Sequence, residues 1–132
     1  PADFDSLGSR LDNAALLDQV GVTVMFSSGE THNARKIRQV AGNAVANGLP
    51  HKVAIKAMTA TPAKIFGGES RLATVGAQAD LVVWSGDPLD VTSLAEAVVM
   101  GGIPDSMTSG QTQLRDRYLP EQSDLPRSYI KP

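Results

Sequence analysis

Four polar side chains that can do chemistry stand between positions 30 and 35: Glu30, His32, Asn33 and Arg35. A carboxylate such as Glu30 can serve as a general base or a metal ligand. His32 can ligate a metal or touch a substrate. Asn33 and Arg35 suit an anionic substrate group, because the guanidinium fork matches a carboxylate. Glu30 is therefore the candidate catalytic residue, and His32, Asn33 and Arg35 are the candidate substrate contacts. Each has a plainer alternative. An acid before a helix complements its dipole, asparagine caps helices, and an exposed arginine forms surface ion pairs. A metal site needs about three protein ligands or more. The chain has two histidines and no cysteine, so no metal ligand is assigned. His51, the second histidine, opens a different helix and reads as solvated.

The elements around the cluster give it a position. Val22, Thr23, Val24, Met25 and Phe26 form a β-branched, apolar run, apolar on both alternating faces. Such a run suits a strand buried on both sides, as in parallel sheets. After the polar stretch 27–33, Ile37, Val40, Ala41, Ala44 and Val45 make one helical stripe. Gly48 is placed to end that helix, with Pro50 just beyond. The order is strand, polar loop, helix. In α/β folds the loop after a parallel strand is where chemistry is usually placed.

Upstream, residues 12–20 read as a short helix capped by Asp12 or Asn13 and closed by Gly21. Downstream, a helix is expected over 51–58, then a third with Thr61 as cap and Pro62 at its first position, ending at Gly67. From Gly68 the character changes. A short strand around Leu72, a clear strand at 81–84 and a strand in the second half of 93–100 are expected, with a turn at Gly101 and Gly102. Trp84 reads as half-buried core, and Asp80 as a turn residue accepting backbone hydrogen bonds. Residues 107–118 read as irregular or weakly helical, with Arg115, Asp116 and Arg117 as a solvated or inter-subunit charge cluster. Residues 123–132 read as a tail.

At 132 residues, 42% hydrophobic and 20% charged, the chain is globular in character and one domain, or a piece of one, by length. The net charge of −2 and the lack of a long basic run exclude a nucleic-acid binder of the usual kind. No run approaches the ~20 apolar residues of a spanning helix, so a soluble protein is expected, cytoplasmic or periplasmic. The absence of cysteine does not choose between those compartments.

Three landmarks line up: the strand-loop-helix of residues 22–49; Ala57-Met58-Thr59-Ala60-Thr61-Pro62-Ala63-Lys64-Ile65-Phe66-Gly67; and Gly76-Ala77-Gln78-Ala79-Asp80-Leu81-Val82-Val83-Trp84-Ser85-Gly86-Asp87-Pro88-Leu89. Together they resemble the carboxyl-terminal portion of the metal-dependent amidohydrolases, in the branch of imidazolonepropionase-like enzymes. The resemblance covers about residues 3–118. It implies an α/β fold made of the last strand and helices of a (β/α)8 amidohydrolase barrel plus part of a small composite β-sandwich. Residues 1–67 would be the end of the barrel, 68–119 the sandwich part and 120–132 the tail.

The resemblance implies that a full-length parent hydrolyses an amide or cyclic amide carbon–nitrogen bond of a small molecule with metal-activated water, the metal being zinc or another divalent ion. The family's ligands, an H-x-H pair, a bridging lysine and two later histidines, come from earlier barrel strands absent from this sequence. The family's proton-shuttling aspartate follows the last strand, and Gly29 stands at that place here. The expectation is a fragment inactive alone, with no cofactor of its own. The alternative is a non-catalytic binding or assembly module on an amidohydrolase scaffold. In either case the unpartnered strand and apolar helix faces imply self-association.

Overall fold

The computed structural model describes residues 4, 7–29, 31–67 and 75–119. It is a mixed α/β arrangement with a small antiparallel sheet. Four helices come first: α1 (Asn13–Gln19), α2 (Ile37–Ala46), α3 (His51–Met58) and α4 (Ala60–Ile65). A 3-10 helix, Thr31–Lys36, leads directly into α2. The sheet follows as β1 (Leu81–Trp84), β2 (Ala95–Met100) and β3 (Ile103–Pro104), in that spatial order, and α5 (Gly110–Tyr118) closes the described chain.

The apolar stripe of α2 forms as its spacing dictates, and Ala41 and Ala44 are its buried members. Gly48 ends the helix at a φ of +101°, a conformation that residues with a Cβ rarely adopt. Pro50 then precedes α3, which buries Ala54 and Ala57. The core is Ala15, Ala41, Ala44, Leu49, Ala54 and Leu89, with Phe26, Val45, Val53, Ile55 and Met58 packed against it. Four of its six central residues are alanines, so the helices meet backbone to backbone, with little side chain between them. Leu89 is the sheet side's contribution to this core. It packs where α2 carries Gly42: a Cβ built there would meet the Leu89 carbonyl oxygen at 2.6 Å.

The sheet is a meander. Leu81 pairs with Val99, Val82 with Val98 and Val83 with Ala97, and the register slips between Val83 and Trp84. Trp84 stands just past the slip, under the guanidinium of Arg38 from α2. Gly101 and Gly102, both at positive φ, make the turn into β3. Asp80 accepts the Gly101 N–H at 2.6 Å, so it pins that turn, as a turn-binding aspartate should.

Several sequence expectations need correction. Residues 22–26, expected as a buried strand, join no sheet among the described residues, and Val22 and Thr23 are exposed. Val22 N–H donates to the Leu17 carbonyl at 2.9 Å and Phe26 N–H to that of Ala57 at 3.4 Å. A strand exists through its ladder, and no described strand lies alongside this run. The third helix starts at Ala60, two residues before the Pro62 expected at its first position. Thr59 Oγ1 donates to the Ile55 carbonyl at 2.8 Å, so its hydroxyl finishes α3, and Pro62 falls inside the first turn of α4. Asp12 precedes α1 without capping it by its side chain, because Arg10 engages its carboxylate at 2.7 Å. β2 begins at Ala95, in the stretch with helical leanings, because pairing with β1 overrides weak local propensity. Residues 110–118, expected to be irregular or weakly helical, form α5 with a reciprocal Ser109–Thr112 capping box. The strand expected around Leu72 and the tail from 123 lie outside the described residues.

The Gly42 contact yields a test. Gly42→Ala forces a backbone shift at Leu89 and is expected to destabilise the fold by ~1–3 kcal/mol, the usual range for overpacking. Gly110→Ala, with nothing within 4 Å of the added Cβ, is the control and should leave the thermal midpoint nearly unchanged.

Candidate functional site

The 3-10 helix carries three of the four residues that sequence points to. His32 and Arg35 are exposed and Asn33 is half-buried. In a 3-10 helix residues three apart eclipse one another, so His32 and Arg35 share one side of the turn and Asn33 is offset from it. Glu30 lies outside the described residues. Just before it, Gly29 adopts a φ of +72°, and its N–H donates to Ser27 Oγ at 3.2 Å. A Cβ at position 29 would have open space around it but a strained backbone. An aspartate standing here would need a different local conformation.

The clefts lie elsewhere. One of about 560 Å³ is lined by Thr23, Lys56, Ala60, Thr61, Lys64 and Ile65. A second, about 250 Å³, shares Thr23, Lys56 and Thr61. A third lies over Phe26, Val40, Asn43 and Asn47. None of these three is lined by His32, Asn33 or Arg35. Among the described residues no three His, Asp or Glu side chains come together in a set fit to hold a metal ion. The described residues do not fit the divalent ion that the family resemblance implies, and no metal-dependent step is derived from them.

The best-organised polar chemistry is at the junction of helices and sheet, where sequence reasoning assigned no function. His51 Nε2 stands 3.0 Å from both carboxylate oxygens of Asp87, so His51 is paired rather than merely solvated. The side chains of this pair are about half exposed, which limits its strength to that of a surface interaction. Asp87 Oδ1 also accepts the Leu89 N–H at 2.9 Å. The His51 hydrogen bond, then the Leu89 N–H, holds the Asp87 carboxyl below the usual carboxylate range. Asp90 is likewise held low, first by the Thr92 N–H and then by its hydroxyl.

Arg38 makes the second tie. Its Nη1 donates to the carbonyls of Pro88 at 3.2 Å and Ser93 at 3.3 Å. Its guanidinium lies 4.2 Å above the Trp84 ring centroid, within cation–π range. Trp84 is half-buried as expected, and it also serves as a platform for Arg38. Nothing in the sequence singled out Arg38. Asp87, by contrast, lies in the Gly86-Asp87-Pro88 phrase, which was visible as a motif without a role. Arg115 and Asp116 pair with each other on α5, both exposed.

Comparison with known proteins follows this geometry. No family model matches the chain. It is 31% identical over 98 residues to the amidohydrolase tasK of Hapsidospora irregularis, a match covering 73% of this chain and 10% of that protein. Its fold matches an amidohydrolase crystal structure from Thermotoga maritima with a TM-score of 0.69 and 29% identity. Both sequence and fold are amidohydrolase-like. The structural match covers 78% of this chain and 28% of the Thermotoga chain, so this amidohydrolase-like chain spans only a minor part of either relative.

The Asp87 environment sets a pH dependence. A carboxyl whose pKa is lowered on folding adds stability above its unfolded pKa, and that contribution is lost as pH falls through the folded value. Acidification is therefore expected to loosen the helix–sheet junction. Carboxyl NMR titration should place Asp87 below an ordinary aspartate, and His51→Ala should move it upward. An unchanged titration in the variant would mean that His51 is not the cause.

Proposed function

We propose that this chain is the carboxyl-terminal part of a metal-dependent amidohydrolase. Residues 1–67 would be the end of its (β/α)8 barrel, and residues 68–119, which hold β1 to β3, would form part of a composite sandwich. One observation carries the reading: residues 22–26, apolar but for Thr23 and half-buried from Val24 on, have no ladder partner among the described residues, although a fold match to an amidohydrolase runs through most of the chain. A run of this kind calls for neighbouring strands, and the barrel reading supplies them. The parent would hydrolyse an amide or cyclic amide bond of a small molecule, and the imidazolonepropionase-like branch fits the motif order best. Zinc or another divalent ion would be held by residues outside this chain. The 132-residue polypeptide itself would be inactive.

In the parent, the 3-10 helix would stand at the mouth of the barrel. His32 and Arg35, sharing one side of the turn, and Asn33 beside them would contact the substrate, with Glu30 as the candidate base. A second reading, a binding or assembly module without chemistry, is favoured by Gly29. Its positive φ occupies the place of the family's aspartate with a backbone that disfavours any side chain.

The coding frame upstream of Pro1 separates the two. A continuous frame carrying H-x-H after an apolar run supports the enzyme; a stop codon shortly upstream supports the module. In a full-length parent, Glu30→Ala and Arg35→Ala are each expected to lower kcat/KM by about tenfold or more, in the usual range for losing one acid–base or binding group, with thermal stability little changed. Unaltered kinetics in both variants would remove the loop from the active site. The isolated polypeptide, dialysed after loading with zinc, should retain no stoichiometric metal by elemental analysis.

A further inference from the structure

The small net charge conceals a segregation along the chain. Residues 31–67 carry Arg35, Lys36, Arg38, Lys52, Lys56 and Lys64 and no acid. Residues 79–105 carry Asp80, Asp87, Asp90, Glu96 and Asp105 and no lysine or arginine. The fold gathers the first set on the 3-10 helix and α2 to α4, and the second on β1 to β3 and their loops. The two sets touch within one molecule, at His51 with Asp87 and where the charge of Arg38 bears on Asp90. Away from that junction they face outward. Lys52, Lys56 and Lys64 are exposed on the helices, and Glu96 and Asp105 on the sheet and beside it.

Each charged surface also carries apolar side chains. Ile65 and Phe66, 54% and 77% exposed, follow Lys64; Leu94 and Ile103, 70% and 72% exposed, flank the sheet acids. Apolar patches of this kind mark interfaces. A polyanion such as nucleic acid would match the lysines but leave Ile65 and Phe66 uncovered and the acidic sheet unused. A second copy of the chain offers both complements at once.

We infer that this polypeptide self-associates by docking the cationic, apolar helical surface of one copy onto the acidic, apolar sheet of another. A standard interface takes about 800 Å² per partner, and the exposed lysines, acids and apolar side chains of the two surfaces are what such a contact covers. A contact repeated reciprocally about a two-fold axis uses both surfaces of both copies. Opposite charge steers the encounter, and the apolar contacts hold it. The inference concerns the 132-residue polypeptide and does not depend on the reaction of any parent.

Sedimentation velocity of the full polypeptide tests it. The association constant is expected to fall about tenfold between ~0.1 M and ~1 M salt, where the Debye length shrinks from about 10 to about 3 Å. A monomer at every concentration, or association indifferent to salt, would overturn the proposal. Charge reversal adds a second test. Lys56→Glu with Lys64→Glu in one variant, and Glu96→Lys with Asp105→Lys in another, should each weaken self-association. An equimolar mixture should restore it as a mixed complex, since both reversed surfaces then face opposite charge. If circular dichroism shows both variants folded and the mixture associates no better than either alone, the docking surfaces are wrong. The salt dependence of the unaltered chain decides the matter if either variant fails to fold.

Discussion

The approach of the Leu89 carbonyl to Gly42 is the constraint on which the rest depends. With no side chain at position 42, α2 can lie against the loop between β1 and β2 at backbone distance, and Leu89 enters the alanine-rich core. That closeness puts Arg38, one helical turn earlier, within reach of two loop carbonyls and the face of Trp84. It likewise brings the start of α3 near enough for His51 to meet Asp87. A bulkier residue at 42 would push the loop outward and lengthen all of these contacts together. Each tie is modest alone, since exposed ion pairs and cation–π contacts are worth about 1 kcal/mol or less. Their common dependence on one close packing makes them a unit.

The helical half is held differently. Its core residues are small and bring little apolar area, while larger side chains such as Leu11, Val20, Ile65 and Phe66 stay exposed. This is the reverse of a self-sufficient domain, where large apolar residues fill the interior. The proposed place at the end of a larger barrel would account for the pattern, because surfaces interior to a complete barrel would be exterior in this chain.

Much of the architecture was legible in the sequence because local signals agreed with the fold. Gly21, Gly48, Gly67 and Gly101 all adopt positive φ where the sequence placed element ends. α2 and α3 follow from periodicity and β1 from a β-branched run. What failed depended on partners distant in sequence. The run at 22–26 has strand composition but no ladder among the described residues, and the first residues of β2, which lean toward helix, are strand because β1 pairs with them. At the candidate site, the cluster near residue 32 was visible as a list of chemical groups, and its placement on a 3-10 helix was not. Arg38 was illegible because its partners, Pro88 and Ser93, lie 50 and 55 residues away and contribute only backbone oxygens, which every residue possesses.

The Arg38–Trp84 stack has an optical consequence. Trp84 is the chain's single tryptophan, and its ring is covered by a guanidinium anchored to the far end of the same loop. Indole emission therefore comes from one place, the seam between helices and sheet. Its colour and intensity report whether that seam is shut, with no label attached, while the helices can be followed separately in the far ultraviolet. The molecule carries its own reporter for whether its two halves come apart before either one unravels.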